Sequence, residues 1–328
     1  MSEVIEILKK GLQTSVQGNY RYGYFGQGIP PSGPMDEYSH HIGNVLVGNK
    51  PDAASLEITM VGDRIKFLSD TVFAITGANF SAKLNKQPIK CWRTYRVKAG
   101  DILDLGFSTN GCRGYLSIAG GFNVPVVMGS TSTYAPGLVG GHKGRYLIEG
   151  DILESGESAV PLEQLEGLAV ADEAIYKPES ERTLYITLGP QADLYKDESV
   201  KEFFDIEWEV SPILNRTGVR LTGTQLYFKD RIKDPDEGKD LSNIIDDGIP
   251  VGGMQTPSGK EIICMAKDVV TAGGFAKIGT VVTYSMNTVG QLRPGDKVKF
   301  KEISLEEAKE KLMERRAKYS KEYITKYE

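Results

Sequence analysis

The sequence is poor in the residues that most often build metal centres, disulfide frameworks and hydrolytic triads. It has three histidines and three cysteines in 328 residues, and the cysteines lie far apart at positions 91, 112 and 264. No CxxC pair occurs, which excludes a disulfide framework and a cysteine zinc site, and we expect no bound metal. His40 and His41 are adjacent on a predicted helix, where neighbouring side chains diverge by about 100°. At most one of them can therefore enter a given site.

Long apolar runs and an excess of positive charge are also missing. No apolar run reaches the length of about 18 residues that a membrane-spanning helix needs. The net charge of −5 and the pI near 5.5 argue against non-specific binding of nucleic acid. The first residues include acidic side chains and lack the apolar core of a signal peptide. We therefore expect a cytoplasmic protein that binds neither nucleic acid nor membranes.

Several enzyme motifs are absent as well. The chain has no GxxxxGK[ST] phosphate-binding loop and no GxSxG nucleophile elbow. The Gly-Gly turns in residues 120–125 and 272–279 do not follow the GxGxxG spacing. The residues around Lys267 read CMAKD and lack the Met-Lys-Met order of a biotin-attachment site, so we expect no covalently bound biotin.

Glycine, by contrast, is abundant. The 37 glycines are spread along the chain, often beside short runs of β-branched and aromatic residues. Glycine permits the positive φ angles of tight turns, so this pattern predicts a mainly β fold of many short strands. Four helices are predicted: from the Asp36 N-cap to Val47 with Gly48 after it, from Pro51 to Glu57, over 191–204, and after a capping box formed by Ser304 and Glu307.

A polar, acidic stretch over residues 155–180 has little strand pattern and predicts a linker. A chain of this length also exceeds the usual size of a single core. We therefore expect an N-terminal β domain over 1–175, a C-terminal β domain over 176–303 and a helical tail over 304–328.

Two candidate sites lie in the N-terminal half. In residues 26–36, GQGIPPSGPMD, the loop could present Ser32 and backbone N–H groups to a carboxylate or phosphate at a helix start, with Gly33 beside it. Alternatively, the prolines stiffen a corner and Asp36 is simply the N-cap. Glu57 is predicted at a helix end leading into a strand, either as a general base or as part of a salt bridge.

Two more candidate sites lie in the C-terminal half. Arg216 and Arg220 are four residues apart, so in an extended segment both guanidinium groups would share one face and could bind an anion in one pocket. The alternative is that they pair with acidic surface residues. The other site is a group of polar residues around a double glycine: Gln255, Asp268, Thr271, Lys277, Gly273 and Gly274.

Several of these segments also carry a family resemblance, which extends in order over roughly residues 10–303. The chain resembles the allophanate hydrolase subunit 2 family, which includes KipA and the C subunit of 5-oxoprolinase. The matching segments are GIPPSGPMD (28–36), NVLVGN (44–49), AGGFNVPVVMGSTST (119–133), RTGVRLTG (216–223), GGMQTPSGKEI (252–262), TAGGFAKIGTV (271–281) and LRPGDKVKF (292–300).

The resemblance implies a pair of cyclophilin-like β-barrel domains related to the carboxyltransferase region of urea carboxylase. It implies the C subunit of an ATP-dependent 5-oxoprolinase, which uses ATP with Mg²⁺ and converts 5-oxo-L-proline to L-glutamate. The expected partners are an A subunit and a KipI-like B subunit, without which the chain is expected to be inactive. We take Glu57, Arg220, Asp268 and Lys277 as candidate catalytic residues. The candidate substrate-binding residues are Ser32, Gly33, Asp36, Arg216, Gln255, Thr271, Gly273 and Gly274.

Two alternatives remain open at this point. One is a carboxyltransferase that acts on urea or a related amide with carboxybiotin carried by another protein. The other is a KipA-like regulatory protein that binds a KipI-like kinase inhibitor.

Overall fold

The structure is a computed structural model that describes residues 2–177 and 182–327. Residues 178–181, at the end of the predicted linker, and the terminal residues 1 and 328 lie outside the described residues. The chain separates into two compact units: unit 1 contains residues 2–22, 32–177 and 315–327, and unit 2 contains residues 23–31 and 182–314. The prediction of a mainly β fold with few helices is confirmed.

Unit 1 is built from a seven-stranded sheet of order β11-β12-β1-β4-β9-β6-β7, a five-stranded sheet of order β2-β3-β10-β5-β8 and a two-stranded sheet of β13 and β23. Its strands are β1 (Ser2–Lys9), β2 (Gln13–Gln17), β3 (Ser55–Thr59), β4 (Arg64–Phe67), β5 (Thr71–Gly77), β6 (Lys83–Leu84), β7 (Gln87–Pro88), β8 (Thr94–Val97), β9 (Ile102–Asp104), β10 (Arg113–Ile118), β11 (Phe122–Asn123), β12 (Ile152–Ser155), β13 (Leu168–Val170) and β23 (Ile324–Lys326). Its helices are α1 (Glu37–Leu46) and α2 (Leu162–Leu165).

Strand β3 shows why the five-stranded sheet can hold a polar site on one face. Leu56 and Ile58 belong to the apolar core of unit 1. Glu57 lies between them, and successive side chains of a strand point to opposite faces, so its carboxylate faces away from that core. Helix α1 packs against the sheet at β3, β5 and β10.

The helix at Asp36 begins and ends as predicted. The Asp36 side chain accepts a hydrogen bond from the Ser39 N–H group, which satisfies a donor that the first helical turn leaves open. The helix ends at Leu46, and Gly48 follows with a φ of +77°. Glycine adopts that left-handed conformation without strain.

The predicted helix from Pro51 to Glu57 is wrong. Residues 55–59 form the central part of a sheet, where β3 pairs with both β2 and β10. The alternation of apolar and polar residues from Leu56 has the period of a strand, and pairing on both sides outweighs a proline that could also begin a helix.

Part of the predicted linker is also ordered. Helix α2 and strand β13 both lie within 155–177, and β13 pairs antiparallel with β23 near the end of the chain. The acidic composition hides this pairing because the partner strand is more than a hundred residues away in sequence.

Unit 2 contains a closed barrel of order β14-β21-β18-β19-β16-β15-β22 and a separate two-stranded sheet of β17 and β20. Its strands are β14 (Thr183–Leu188), β15 (Trp208–Leu214), β16 (Gly218–Thr222), β17 (Asn243–Gly248), β18 (Gly253–Gln255), β19 (Glu261–Met265), β20 (Ala272–Phe275), β21 (Lys277–Val281) and β22 (Lys297–Glu302). Helices α3 (Asp197–Asp205) and α4 (Met286–Gln291) accompany the barrel. The helix predicted over 191–204 is therefore shorter, because residues 192–194 form a separate 3₁₀ turn.

The helix predicted after Ser304 is α5 (Leu305–Ala317). Its capping box is present, since the Glu307 carboxylate accepts from the Ser304 N–H group at 3.1 Å and the Glu307 N–H group donates to Ser304 Oγ at 3.2 Å. The tail is not helical to its end, because β23 follows α5. In the part of the chain that the structure describes, no helix has the length and hydropathy needed to cross a membrane.

Candidate functional site

The loop before α1 has a backbone that requires glycine at one position. Ser32 and Gly33 both have positive φ angles, of +54° and +87°. A Cβ atom on Gly33 would lie 2.4 Å from the Tyr20 ring, so a larger residue would displace that ring. Ser32 is fully buried, and its Oγ has no hydrogen-bond partner among residues 2–177 and 182–327.

Several N–H groups near the start of α1 are already bonded within the protein. The Met35 N–H group donates to Glu57 Oε2 at 2.8 Å, and the Asp36 N–H group donates to the Tyr115 hydroxyl oxygen at 2.8 Å. The Ser39 N–H group donates to Asp36 Oδ1 at 3.1 Å. These three groups therefore hold the corner together, which favours the interpretation of Asp36 as an N-cap. The role of Ser32 and Gly33 in substrate binding stays a prediction.

Glu57 is almost completely buried and forms an ion pair. Its Oε1 lies 3.7 Å from Arg113 Nε, and both side chains are 1% exposed. Its Oε2 accepts a hydrogen bond from the Tyr115 hydroxyl group at 2.8 Å. Burial, together with the nearby Glu57 carboxylate, raises the pKa of Tyr115 well above its usual value, so Tyr115 stays protonated as the donor. These contacts favour the salt-bridge alternative over a general base.

Arg216 and Asp268, both predicted as site residues, pair with each other. Arg216 Nε and Nη2 donate to the two carboxylate oxygens of Asp268 at 2.9 and 3.1 Å. The Asp268 N–H group also donates to the Arg216 carbonyl oxygen at 2.8 Å. Both side chains are buried, so this two-pronged pair fixes the turn before β16 to the segment after β19.

Arg220 has a different partner from Arg216. It lies on β16 and forms an ion pair with Glu261 at the start of β19. Arg216 precedes β16, so the two arginines do not belong to one extended strand, which was the basis for expecting them in one pocket. The Arg220 side chain is 37% exposed, as expected for the surface-pair alternative.

Lys277 is the centre of a polar cluster in unit 2. Its Nζ donates to Asp247 Oδ2 at 2.9 Å, and its side chain is 9% exposed. Gln191 Nε2 donates to the same Asp247 oxygen at 3.0 Å, while Gln191 Oε1 accepts from the Lys277 N–H group at 2.8 Å. The hydrogen bond from Lys277 lowers the pKa of Asp247. A nearly buried ammonium group is thus held by a single exposed carboxylate and keeps further donor capacity.

Gln255 lies directly beside Lys277, because β18 and β21 pair these two residues. Gln255 is 4% exposed, and its Nε2 has no hydrogen-bond partner among the described residues. Leaving a buried amide donor unpaired costs free energy, on the order of 1–3 kcal/mol, so such a donor is a candidate for contact with a bound group.

The double glycine brings β20 close to this cluster. A Cβ atom on Gly273 would lie 3.1 Å from Gln255 Nε2, and one on Gly274 would lie 2.9 Å from Asp246 Oδ1. Thr271 is half-buried, and its carbonyl oxygen accepts from the Ile249 N–H group at 3.1 Å. Of the predicted group, the structure thus brings Gln255, Gly273 and Lys277 together, whereas Asp268 pairs with Arg216.

Sequence reasoning missed Asp247, Gln191, Tyr115 and Arg113. Arg113 and Tyr115 are two residues apart on β10, which is the spacing of a shared strand face, but their contact with Glu57 depends on the pairing of β10 with β3. Asp247 and Gln191 are brought to Lys277 by long-range pairing and had no signal in the sequence. Among the described residues, no three His, Cys, Asp or Glu side chains form a group that could hold a metal ion.

Comparisons with known proteins place these residues in a family context. Residues 27–302 match the model of the carboxyltransferase domain, subdomain A and B. The chain is 37% identical over 316 residues to a urea amidolyase of Lachancea kluyveri, covering 93% of this chain and 17% of that one. It is 33% identical over 307 residues to the 5-oxoprolinase C subunit of Escherichia coli (strain K12), covering 93% of both chains.

Solved structures agree with the sequence matches. The crystal structure of the K. lactis urea amidolyase superposes with a TM-score of 0.90 at 34% identity and covers 100% of this chain and 21% of that one. The chain therefore spans about a fifth or less of the urea amidolyases that it matches.

Proposed function

The chain belongs to the carboxyltransferase domain family, subdomain A and B, and from this membership we propose that it is the C subunit of an ATP-dependent 5-oxoprolinase. The complex would act in the cytoplasm with an A subunit and a KipI-like B subunit. It would convert 5-oxo-L-proline to L-glutamate. The lactam amide resists attack by water, and phosphorylation of its oxygen by ATP would create an electrophilic carbon and a leaving group.

The observation that carries this proposal is the extent of one alignment. The match to the E. coli 5-oxoprolinase C subunit includes 93% of each chain, so nearly every part of that relative has a counterpart here. The match to the L. kluyveri urea amidolyase includes 17% of that protein, so most of that protein lies outside the match.

The polar cluster in unit 2 supports a substrate of this kind. 5-Oxoproline carries one carboxylate and one lactam carbonyl, and both are hydrogen-bond acceptors. Lys277 offers a nearly buried ammonium group, and Gln255 offers a buried amide donor without a partner among the described residues. A carboxylate that accepts from both would form charge-assisted hydrogen bonds and would satisfy Gln255.

ATP enters the proposal as a co-substrate of the complex. The chain has no phosphate-binding loop motif, and no group of three or more His, Cys, Asp or Glu side chains that could hold a metal ion occurs among its described residues. We therefore assign no residue of this chain to the nucleotide or its metal ion.

The test uses the chain assembled with its A and B subunits and measures glutamate formed from 5-oxoproline. Replacing Lys277→Gln should raise KM about tenfold or more, because one charge-assisted hydrogen bond is lost. The matched control is Lys297→Gln, since Lys297 also pairs with a carboxylate of unit 2, that of Glu209, but is 55% exposed. Unchanged KM in the Lys277 variant would remove Lys277 from substrate binding.

Carboxyl transfer to urea or a related amide is the second candidate. It is favoured by the higher identity to the urea amidolyase, 37% against 33%, and by the TM-score of 0.90. Supplying the chain with a biotin carboxylase, a biotinylated carrier, bicarbonate, ATP and urea tests it directly. Formation of carboxylated urea in this mixture, with no glutamate formed from 5-oxoproline by the chain assembled with its A and B subunits, would favour carboxyl transfer. A chain that binds the B subunit but supports neither reaction would favour the regulatory alternative.

A further inference from the structure

Unit 1 contains a second candidate site, in a cavity of about 610 Å³. Its lining includes Tyr20, Tyr22, Glu37, His41, Arg316 and Tyr319, and none of these belongs to the predicted site residues. The ring centroids of Tyr20 and Tyr22 lie 5.8 Å apart, and the rings of His41 and Tyr319 meet in a T-shaped arrangement with centroids 5.1 Å apart. Aromatic walls with a small number of placed polar groups are the usual lining of a small-molecule site.

The end of the chain completes this cavity. Arg316 and Tyr319 come after residue 302, where the match to the family model ends. Strand β23 pairs with β13 just beyond them, and the Tyr319 ring packs on Tyr38 at 5.5 Å. The two side chains are therefore held against α1 by a structured segment.

Glu37 holds other polar groups of the cavity in place. Its Oε2 accepts from the Tyr20 hydroxyl group at 2.8 Å, and its Oε1 accepts from Arg316 Nη2 at 3.1 Å. Glu37 is 9% exposed, and its Oε1 forms an ion pair with Arg316. Burial, followed by the charge of Glu37, raises the pKa of Tyr20 well above its usual value, which keeps Tyr20 protonated.

Arg316 supplies the positive charge of the cavity. Its contact with Glu37 uses one of the five N–H donors of a guanidinium group, and the side chain remains 45% exposed. The planar fork of arginine matches the two oxygens of a carboxylate. Asp52 also lines the cavity, but it is exposed, and water and salt screen its repulsion of an anion.

We propose that this cavity binds a small, planar, ring-containing carboxylate. Its anionic group pairs with Arg316, and its ring lies against Tyr22 and Tyr319. The inference goes beyond the proposed function, since it concerns a different set of residues. It also assigns a binding role to the tail, which the family match does not include.

Calorimetric titration of the purified full chain tests the proposal with benzoate as the probe and benzamide as its neutral counterpart. Benzoate should bind to the chain, and benzamide should bind about tenfold more weakly or not at all. Arg316→Gln and Tyr22→Ala should each weaken benzoate binding, the first by about tenfold. Tyr22 is 75% exposed, so its replacement leaves the fold intact.

Arg64→Gln is the matched control, because Arg64 is 47% exposed, faces a carboxylate at 4.0 Å and lies on β4, outside the cavity lining. It should bind benzoate as the unaltered chain does. Failure of benzoate to bind, equal binding of benzamide, or undiminished binding by Arg316→Gln would overturn the proposal. None of these outcomes depends on turnover, so the result is independent of whether the complex is a 5-oxoprolinase.

Discussion

His40 is a titratable residue placed where water cannot reach it. It is fully buried on α1, its Nε2 lies 3.1 Å from the Gln17 carbonyl oxygen, and its ring contacts Tyr115 at 5.6 Å. Burial lowers the pKa of His40 from 6.5 to about 4. His40 is therefore neutral in the folded protein at neutral pH.

The buried His40 should make the protein less stable in acid. The pKa of His40 is 6.5 in the unfolded chain and about 4 in the folded one. At pH values between these two, the unfolded chain binds a proton that the folded chain does not. Stability from this residue is thus complete above about pH 6.5 and is lost as pH falls towards about 4, by about 2–3 kcal/mol. The free energy of unfolding, measured with urea at about pH 7.5 and pH 4.5, should fall by about 2 kcal/mol less in His40→Gln than in the unaltered protein. An equal loss of stability in the unaltered protein and in His40→Gln would contradict the conclusion that His40 is neutral in the folded protein.

Glu57 should matter for stability. Glu57→Gln removes the charge opposite the buried Arg113 guanidinium group, so the free energy of unfolding should fall by about 3 kcal/mol. Glu154→Gln, at an exposed position of β12, should change it by less than about 0.5 kcal/mol. Urea denaturation measures both. A Glu57 variant of full stability that no longer supports turnover would instead restore the general-base interpretation.

The sequence indicated which residues deserve interest better than it indicated the side chains with which they pair. Glu57, Arg216 and Asp268 were all singled out, yet each proves to be held in a buried pair. Pairing depends on which strands become neighbours, and a single sequence does not contain that information. The structure does place Lys277 beside Gln255, through the pairing of β18 with β21, while their role in a site stays a prediction.

Among the structural elements, the close approach of β20 to β18 depends on Gly273. A methyl group there would meet Gln255 Nε2 at 3.1 Å and Ile249 Cδ1 at 2.9 Å. Gly273→Ala should therefore displace Gln255 and reduce kcat/KM of the assembled enzyme about tenfold or more. Gly248→Ala is the control, since a Cβ on Gly248, in the paired strand β17, would meet nothing within 4 Å. Equal effects of the two substitutions would show that the loss is not specific to the cluster.

Strand β23 should determine how firmly the tail is held. Tyr327 N–H donates to the Gly167 carbonyl at 2.9 Å and Ala171 N–H donates to the Tyr323 carbonyl at 2.8 Å, so the alternation of an antiparallel pair makes Thr325 and Ala169 a hydrogen-bonded pair. Thr325→Pro removes that donor, and amide hydrogen exchange over 168–171 should accelerate about tenfold or more. Thr325→Val keeps the donor and should exchange as the unaltered chain does. Unchanged exchange in the proline variant would mean that β23 does not anchor the tail.

The elements also show where local patterns suffice and where they do not. Helix α1 was predicted within one residue at each end because its cap and its terminal glycine are local signals. The strand around Glu57 was mistaken for a helix because Pro51 resembles a helix start, while pairing with β2 and β10 is non-local.

For the whole molecule, strand content could be predicted but strand order could not. Closure of the barrel in unit 2 requires β14 to pair in parallel with β22, although the two strands are more than a hundred residues apart. Local alternation marks both segments as strands and says nothing about their adjacency. The family resemblance could be detected because the motifs occur in a fixed order along the chain, whereas two domains were expected from the chain length and the polar stretch over residues 155–180.

At the same scale, the chain should contribute to catalysis only within an assembly. If it is the C subunit, neither the chain alone nor the pair of A and B subunits should convert 5-oxoproline, since each would lack part of the substrate site. A mixture of A and B alone that is as active as the complete complex would show that this chain is dispensable.

The most direct test of the central claim is the release of L-glutamate from 5-oxo-L-proline by the purified complex of this chain with its A and B subunits, with and without ATP. The account predicts glutamate only when ATP and all three chains are present, accompanied by ADP. A complex in which the three chains co-purify but no glutamate forms in the presence of ATP would contradict it.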